Sequence, residues 1–235
     1  MDFAALAQRY DAWYTTPLGA WADRIEMATI FSLLHLQSGE RLLELGTGTG
    51  RYALESGRRG ALVTAIDAEP AMLAVARARL ASQGVGLAVT LMQADMAALP
   101  FADASFDVAL AVTALCFASD PLAVLREAAR VLRPGGRLVL GELNRWSLWA
   151  LVRRIEGFFR QTTYRYAHFH SIWELRALLD RAGFHMGRWE GVLHLPPINC
   201  AECLRRLDLL ERLGQRWVPA LGAFLALEAI KMERA

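Results

Sequence analysis

A short glycine-rich segment and the aspartate that follows it are the residues of this sequence best suited to chemistry. Residues 42–50 read Leu-Leu-Glu-Leu-Gly-Thr-Gly-Thr-Gly, and Asp67 ends the next apolar run. Glycines lack a Cβ atom, so the chain can turn sharply and a ligand can approach its backbone. A helix that begins at such a turn points its free N–H groups at the ligand. We expect a βαβ nucleotide-type site in which Asp67, about 20 residues beyond the first glycine, accepts hydrogen bonds from ribose hydroxyls.

The spacing of the glycines, and an acidic residue just before them, indicate which class of nucleotide ligand the site would bind. The dinucleotide fingerprint is G-x-G-x-x-G, whereas the glycines here are Gly46, Gly48 and Gly50. Glu44 stands just before them at the end of the predicted strand, where its carboxylate would repel a pyrophosphate. A ligand with a positive centre or an ammonium group suits this position. S-adenosylmethionine has both and carries no phosphate.

Further motifs follow in the order and at the spacings of a known family. The matching segments are, in chain order, Glu44–Gly50, Asp67, Gln93–Met96 with Leu99–Phe101, Phe106–Val108 and Val131–Leu138. On these residues the chain resembles the class I S-adenosylmethionine-dependent methyltransferases, in the type 11 group that includes the ubiquinone/menaquinone-type enzymes. The resemblance is strong over residues 38–145 and looser over 170–231.

The resemblance implies S-adenosyl-L-methionine as cofactor, S-adenosyl-L-homocysteine as product, and a set of binding residues. Glu44 and the glycine loop would surround the methionyl end, and Asp67 would hold the ribose. Asp95 would accept a hydrogen bond from the adenine amino group. The expected set is Tyr10, Glu44, Gly46, Thr47, Gly48, Gly50, Asp67, Ala68, Met72, Asp95, Met96 and Thr113. A helix cap at Asp67 and a polar turn at Asp95 are the structural alternatives.

Methyl transfer is an in-line displacement at a carbon that the sulfonium already activates. Alignment and exclusion of water can therefore supply much of the rate, and a base is needed only for a nucleophile that arrives protonated. The catalytic candidates are Tyr14, His168 and Cys116. In related enzymes an N-terminal helix like that of Tyr14 closes over the cofactor, and histidine titrates near neutrality. Packing roles stay open for all three, and no metal site is expected.

Strands that alternate with helices predict a parallel α/β sheet with right-handed crossovers. The predicted strands are 42–45, 62–66, 87–92, 106–112, 137–141, 185–194 and 222–230. The predicted helices are 2–35 with a break at 16–19, 49–57, 70–82, 120–133, 146–160, 171–182 and 200–213. The resemblance implies a Rossmann-like, seven-stranded, mostly parallel sheet in the order 3-2-1-4-5-7-6, with helices on both faces.

We expect a single domain with three parts. Residues 1–37 would form an N-terminal helical cap, 38–145 the cofactor-binding core, and 146–235 the substrate-side helices and the last two strands. The helix at 146–160, inserted after strand five, is rich in aromatic and arginine residues. It is interpreted as a lid, with a peripheral membrane or lipid contact and RNA stacking as alternatives.

Composition excludes several classes of protein. The 235 residues are 54% hydrophobic with a formal net charge of +2, which fits one α/β domain and does not indicate a nucleic-acid partner. No apolar run reaches about 18 residues and no signal peptide is recognisable, so we expect a cytoplasmic protein without a transmembrane helix. A short-chain dehydrogenase needs a Tyr-x-x-x-Lys pair, but Leu227 occupies the tyrosine position before Lys231.

The expected acceptor is a small molecule, apolar or aromatic, such as a quinone, a phenol or a lipid. Two other functions stay open. The chain could be a non-catalytic module that binds S-adenosylmethionine, or it could methylate a thiol or a metalloid bound by Cys116, Cys200 and Cys203. Both a monomer and a homodimer are compatible with the sequence.

Overall fold

A seven-stranded sheet organises the chain in a computed structural model, which describes residues 11–159, 167–197 and 210–232. The strands are β1 (Arg41–Leu45), β2 (Leu62–Asp67), β3 (Val89–Gln93), β4 (Phe106–Val112), β5 (Leu132–Leu143), β6 (Phe184–Val192) and β7 (Phe224–Lys231). Their order is 3-2-1-4-5-7-6. Strands β1 to β5 pair in parallel, and β7 runs antiparallel to both β5 and β6. The predicted fold class is confirmed.

Helices cover both faces of this sheet. They are α1 (Pro17–Leu34), α2 (Arg51–Arg58), α3 (Pro70–Gln83), α4 (Pro121–Val131), α5 (Leu148–Phe159), α6 (Ile172–Ala182) and α7 (210–217). Alternate strand residues face opposite sides of a sheet. Leu43 and Leu45 pack in a core with α4 and α6, whereas Leu42 packs with α1 and α2. Each fully buried leucine contributes roughly 1.5–3 kcal/mol, so both layers hold the strand ends in place.

Capping residues fix where several helices begin. Thr16 accepts a hydrogen bond from the Gly19 N–H and starts α1, which is the predicted break after the short helical stretch 11–14. At α6, Ser171 and Glu174 form the expected capping box, and Gly183 ends the helix in the left-handed conformation. These local signals lie in the sequence, so the helix starts could be predicted closely.

Some boundaries differ from the prediction. Strand β5 begins at Leu132 rather than at 137, because Leu132 pairs with Phe106 across an irregularity that absorbs the Pro-Gly-Gly turn. Strand β6 ends at Val192, where Leu193 adopts a φ of 66°. The helix predicted at 200–213 lies largely outside the described residues, and its described part continues to 217. Within the described ranges, no helix combines the length and apolar character that crossing a membrane requires.

Candidate functional site

A cavity of about 680 Å³ opens at the carboxyl ends of the parallel strands. Its wall includes residues at and just beyond the ends of the strands, namely 46–49 at β1, 67–69 at β2, 94–97 at β3 and 112–114 at β4. Open α/β sheets bind ligands at this edge. Another hollow, of about 460 Å³, lies at the opposite edge, and Arg41 is the sole ionisable residue among those described in its wall. The first cavity is the candidate site because the chemical groups converge there.

The glycine loop leaves backbone open toward the cavity at one position. Gly46 and Gly48 have φ values of 69° and 55°, which favour glycine. A Cβ atom at Gly46 would stand 2.7 Å from the Cβ of Ala114, whereas a Cβ at Gly48 would meet no atom within 4 Å. Gly46 is therefore required by packing inside the protein. Gly48 lines the cavity and leaves room for a ligand against its backbone.

Asp67 links the end of β2 to this loop. Its Oδ2 accepts a hydrogen bond from the Gly48 N–H at 2.7 Å, and its Oδ1 accepts one from the Glu69 N–H at 2.9 Å. Burial raises the pKa of Asp67, and these N–H donors oppose that rise. The cap of α3 is Glu69, so Asp67 does not occupy the helix-cap position. Each carboxylate oxygen has two lone pairs, which leaves acceptor capacity for ribose hydroxyls.

Glu44 is the buried acid of the site. It lies one residue before the end of β1 and is only 3% exposed, and its Oε2 has no hydrogen-bond partner among the described residues. Burial raises its pKa to about 8, the Thr47 hydroxyl lowers it and the Asp67 charge raises it further. A buried polar atom without a partner is costly. A ligand ammonium group would supply the missing donor. The Glu44 carboxyl group therefore fits the methionyl end of the expected cofactor.

The residues expected around the adenosine also line the cavity. They are Ala68, Met72, Asp95 and Met96. Asp95 accepts a hydrogen bond from the Ala97 N–H at 2.8 Å. This bond forms the polar turn that was the structural alternative for Asp95. The following loop is fixed by Arg130, which donates to the carbonyls of Leu99 and Phe101. The turn and the adenine role are compatible, because Asp95 keeps a second carboxylate oxygen.

Thr113 occupies a strained position at the end of β4. Its φ is 48°, a conformation that costs a β-branched residue on the order of 1–3 kcal/mol. The Thr113 N–H donates to the Gly141 carbonyl at 2.7 Å, and the Leu115 N–H donates to buried Glu142 at 3.0 Å. These two bonds hold the turn that forms the cavity wall. Strain of this kind clusters at functional sites.

Two of the three catalytic candidates do not line the cavity. Cys116 is 1% exposed, and burial raises the pKa of its thiol well above the ordinary value. His168 is exposed, its backbone N–H donates to the Cys116 carbonyl, and partial burial with nearby His170 lowers its pKa. Tyr14 does line the cavity. Tyr10, Cys200 and Cys203 lie outside the described residues.

An N-terminal segment covers the glycine loop through one ionic contact. Asp11 accepts a hydrogen bond from the Thr49 hydroxyl at 2.9 Å and pairs with Arg79 of α3. Arg79 also donates to the Thr49 carbonyl at 2.8 Å. The contact places Trp13 and Tyr14 in the cavity wall. A cap formed by residues 1–37 over the cofactor stays a prediction.

One side of the cavity carries charged side chains that the sequence did not predict as site residues. Glu26 of α1, Arg51 of α2 and Arg153 of α5 all line it. The Arg51 guanidinium lies 3.5 Å from the centre of the Tyr14 ring and pairs with Asp23. Its Nη1 is buried without a hydrogen-bond partner among the described residues. The position of Arg51 directly after the glycine loop is a sequence signal for a residue of this site. No spacing in the sequence indicates that Glu26 belongs to it.

Helix α5 has one packed and one exposed side. Trp149 is 4% exposed, and its Nε1 donates to the Leu195 carbonyl at 2.6 Å. Trp146 is 60% exposed, and Leu148 and Leu151 are exposed as well. The buried tryptophan and Arg153 in the cavity wall favour the interpretation as a lid. A membrane contact through the exposed side stays a prediction.

Comparison with known proteins agrees with this geometry. A family model described as a methyltransferase domain matches residues 43–140. A ubiquinone biosynthesis O-methyltransferase of Xanthomonas euvesicatoria pv. vesicatoria is 33% identical over 218 residues, covering 88% of each chain. A demethylmenaquinone methyltransferase of Tropheryma whipplei is 33% identical over 205 residues, covering 80% of this chain and 84% of the relative. The crystal structure of a Thermotoga maritima S-adenosylmethionine-dependent methyltransferase, described as a possible histamine N-methyltransferase, matches with a TM-score of 0.71 and 27% identity over 97% of each chain.

Proposed function

Because the chain belongs to the S-adenosylmethionine-dependent methyltransferases, we propose that it methylates a hydroxylated aromatic acceptor of the quinol or phenol type. The observation that carries this proposal is a cavity with two kinds of wall. One part holds the glycine loop and the acids Glu44, Asp67 and Asp95, and the other holds aromatic and charged side chains from the helices. A bound cofactor would leave the second part for the acceptor.

The cofactor half of the cavity binds by hydrogen bonds and by shape. Asp67 accepts from the ribose hydroxyls, Glu44 accepts from the ammonium group, and Asp95 accepts from the adenine amino group. Gly48 allows the ligand to approach the backbone. S-adenosylmethionine supplies an electrophilic methyl carbon when it is bound. These residues therefore orient that carbon toward the helices that complete the cavity.

The acceptor half suits a flat apolar molecule with polar substituents. Trp13, Tyr14 and Phe117 contribute aromatic surface, and Leu143 contributes aliphatic surface. Aromatic rings pack face to edge or offset against such side chains. The names of the two relatives from Xanthomonas and Tropheryma also support an acceptor of the quinone class. Arg51 and Arg153 supply donors for ring oxygens.

A calorimetric titration with S-adenosylmethionine, S-adenosylhomocysteine and NADPH tests the cofactor part of this proposal. We expect the first two to bind and NADPH not to bind. A screen of demethylated quinols and phenols, read by mass spectrometry for the addition of a methyl group, then tests the acceptor part. Cofactor binding without methylation of any acceptor would favour the non-catalytic module. NADPH binding alone would refute the assignment of the cofactor.

A further inference from the structure

Ionisable groups from three helices meet in the wall of the acceptor half of the cavity. Glu26 comes from α1, Arg51 from α2 and Arg153 from α5. Helix α1 packs against β5, β6 and β7, whereas Asp67 and Asp95 follow β2 and β3. Since β1 and β4 lie between these two groups of strands, α1 reaches the cavity from another direction than the adenosine residues, and its Glu26 lies near Arg51 and Arg153. An acceptor bound at this part of the wall would lie beside Glu26.

We propose that Glu26 is the general base of the methyl transfer, and that the acceptor is an ionisable hydroxyl that is methylated on oxygen. This inference rests on the proposed function. A phenol with a pKa near that of tyrosine, about 10, is largely protonated at neutral pH. It needs a proton acceptor before its oxygen can attack, and Glu26 is a carboxyl group in the cavity wall on the acceptor side.

The step conserves atoms and electrons. The hydroxyl proton of the acceptor moves to a carboxylate oxygen of Glu26, and the oxygen lone pair forms the new bond to the methyl carbon. The electron pair of the broken carbon–sulfur bond stays on sulfur, which yields S-adenosylhomocysteine. Glu26 then releases its proton to solvent, so a proton leaves the protein for each methyl group transferred.

Surrounding charges determine when Glu26 can accept a proton. Burial raises its pKa to about 8, Arg153 and Arg51 lower it, and Asp23 on the same helix raises it. Among the described residues, the other ionisable groups in the cavity wall are Tyr14, Glu44, Tyr52, Asp67, Glu69, Asp95 and Asp120. A positive charge entering the cavity favours the carboxylate. We therefore expect Glu26 to hold a proton in the empty site below about pH 8 and to lose it when the sulfonium is in place.

Proton release during ligand binding tests this inference without an acceptor. S-adenosylmethionine and S-adenosylhomocysteine differ by the methyl group and its positive charge. Calorimetry near pH 8, in two buffers of different ionisation enthalpy, gives the number of protons released by each ligand. We expect S-adenosylmethionine to release a larger fraction of a proton than S-adenosylhomocysteine does, and Glu26→Gln to lose that part of the difference. The ionisation of the ligands themselves is common to both proteins and cancels in the comparison.

Matched variants separate a base from a structural or binding role. Glu55→Gln makes the same chemical change on the outer side of α2, where Glu55 pairs with Arg59, and should retain the wild-type proton release. Glu26→Asp keeps a carboxyl group and should retain most of it. With a phenol that the wild type methylates, kcat of Glu26→Gln should fall about 10²–10⁴-fold, the usual range for a general base. The affinity of Glu26→Gln for S-adenosylhomocysteine should stay close to that of the wild type.

Several results would overturn the inference. Equal proton release by wild type and Glu26→Gln would show that Glu26 does not face the sulfonium. A large loss of affinity for both ligands in Glu26→Gln, with an unchanged kcat at saturation, would show that Glu26 binds the cofactor ammonium instead. Methylation found on carbon or nitrogen alone would contradict an oxygen nucleophile. Failure of both ligands to bind the wild type would refute the proposed function itself, which is a different result.

Discussion

Two alanine substitutions in the glycine loop should lower stability to very different extents, and the one that costs less stability should weaken cofactor binding. At Gly48 an alanine side chain meets no atom within 4 Å, so its cost is the positive φ of 55°. That conformation costs an L-residue about 1–2 kcal/mol. Alanine also reduces the conformational entropy of the unfolded chain, which offsets about 0.4–1 kcal/mol of this cost. A net loss of about 1 kcal/mol lowers Tm by roughly 2–4 °C in a chain of this size. The new methyl group, however, fills the ligand's space.

Gly46→Ala is the matched contrast. Its Cβ would stand 2.7 Å from the Cβ of Ala114, and such overpacking costs about 1–3 kcal/mol in addition to the strain of a positive φ. The Tm should therefore fall on the order of 10 °C, several times the loss at Gly48. Differential scanning calorimetry of the apo proteins measures this difference.

Ligand titration completes the comparison. Gly48→Ala should weaken binding of S-adenosylmethionine at least about tenfold, which corresponds to about 1.4 kcal/mol. The loss exceeds what the small loss of stability explains, because the methyl group occupies the surface that the ligand approaches. Wild-type affinity in Gly48→Ala would refute the assignment of this face to the cofactor. Equal Tm values for the two variants would refute the packing argument at Gly46.

Three further predictions concern the acids around the cavity. Asp67→Asn should weaken S-adenosylmethionine and S-adenosylhomocysteine alike by about 1.5–3 kcal/mol, the range for hydrogen bonds to a charged group, and unchanged affinities in calorimetry would contradict the ribose role. Glu44 has its pKa raised to about 8 in the folded protein, so the folded state binds its proton more tightly and stability should fall as pH rises from about 4.5 to 8. Glu44→Gln should reduce the slope of this decline in urea titrations of the apo protein, while Glu26, whose pKa is also raised to about 8, maintains the remainder; parallel curves for the two proteins would show that Glu44 does not titrate there. Asp11→Asn removes the charge that pairs with Arg79 and weakens the contact with Thr49, so stopped-flow dissociation of S-adenosylhomocysteine should be several-fold faster. A dissociation rate equal to that of the wild type would show that the N-terminal segment does not slow the release of the cofactor product.

The sheet and the cofactor half of the cavity could be predicted because their signals are local in sequence. Glycine spacing placed the turn after β1, and Asp67 follows a short apolar run. The capping box of Ser171 and Glu174 fixed the start of α6. In each case one or two neighbouring residues determine the backbone conformation. A pattern of a few sequence positions is therefore enough to predict it.

The acceptor half depends on contacts that the sequence does not reveal. Glu26 reaches the cavity because α1 packs across β5, β6 and β7, and no spacing relates it to Arg51 or Arg153. Cys116 lies in a short helical turn soon after β4, yet the turn stabilised by Glu142 directs that residue into the core. Residues near the end of a strand can thus point toward the cavity or away from it. The turn geometry decides, and it emerges only from tertiary hydrogen bonds.

Strand order explains why two carboxyl groups with raised pKa can serve different purposes in one cavity. Glu44 lies one residue before the end of β1 and is buried, so under the proposed function it would meet the same part of the cofactor before and after methyl transfer. Glu26 stands on α1, which packs against β5 and β7, and we propose that it faces the sulfonium, whose charge is lost in the reaction. Loss of the sulfonium charge should raise the proton affinity of Glu26 more than that of Glu44. The pH dependence of S-adenosylmethionine binding should therefore depend on both residues, whereas that of S-adenosylhomocysteine should depend mainly on Glu44.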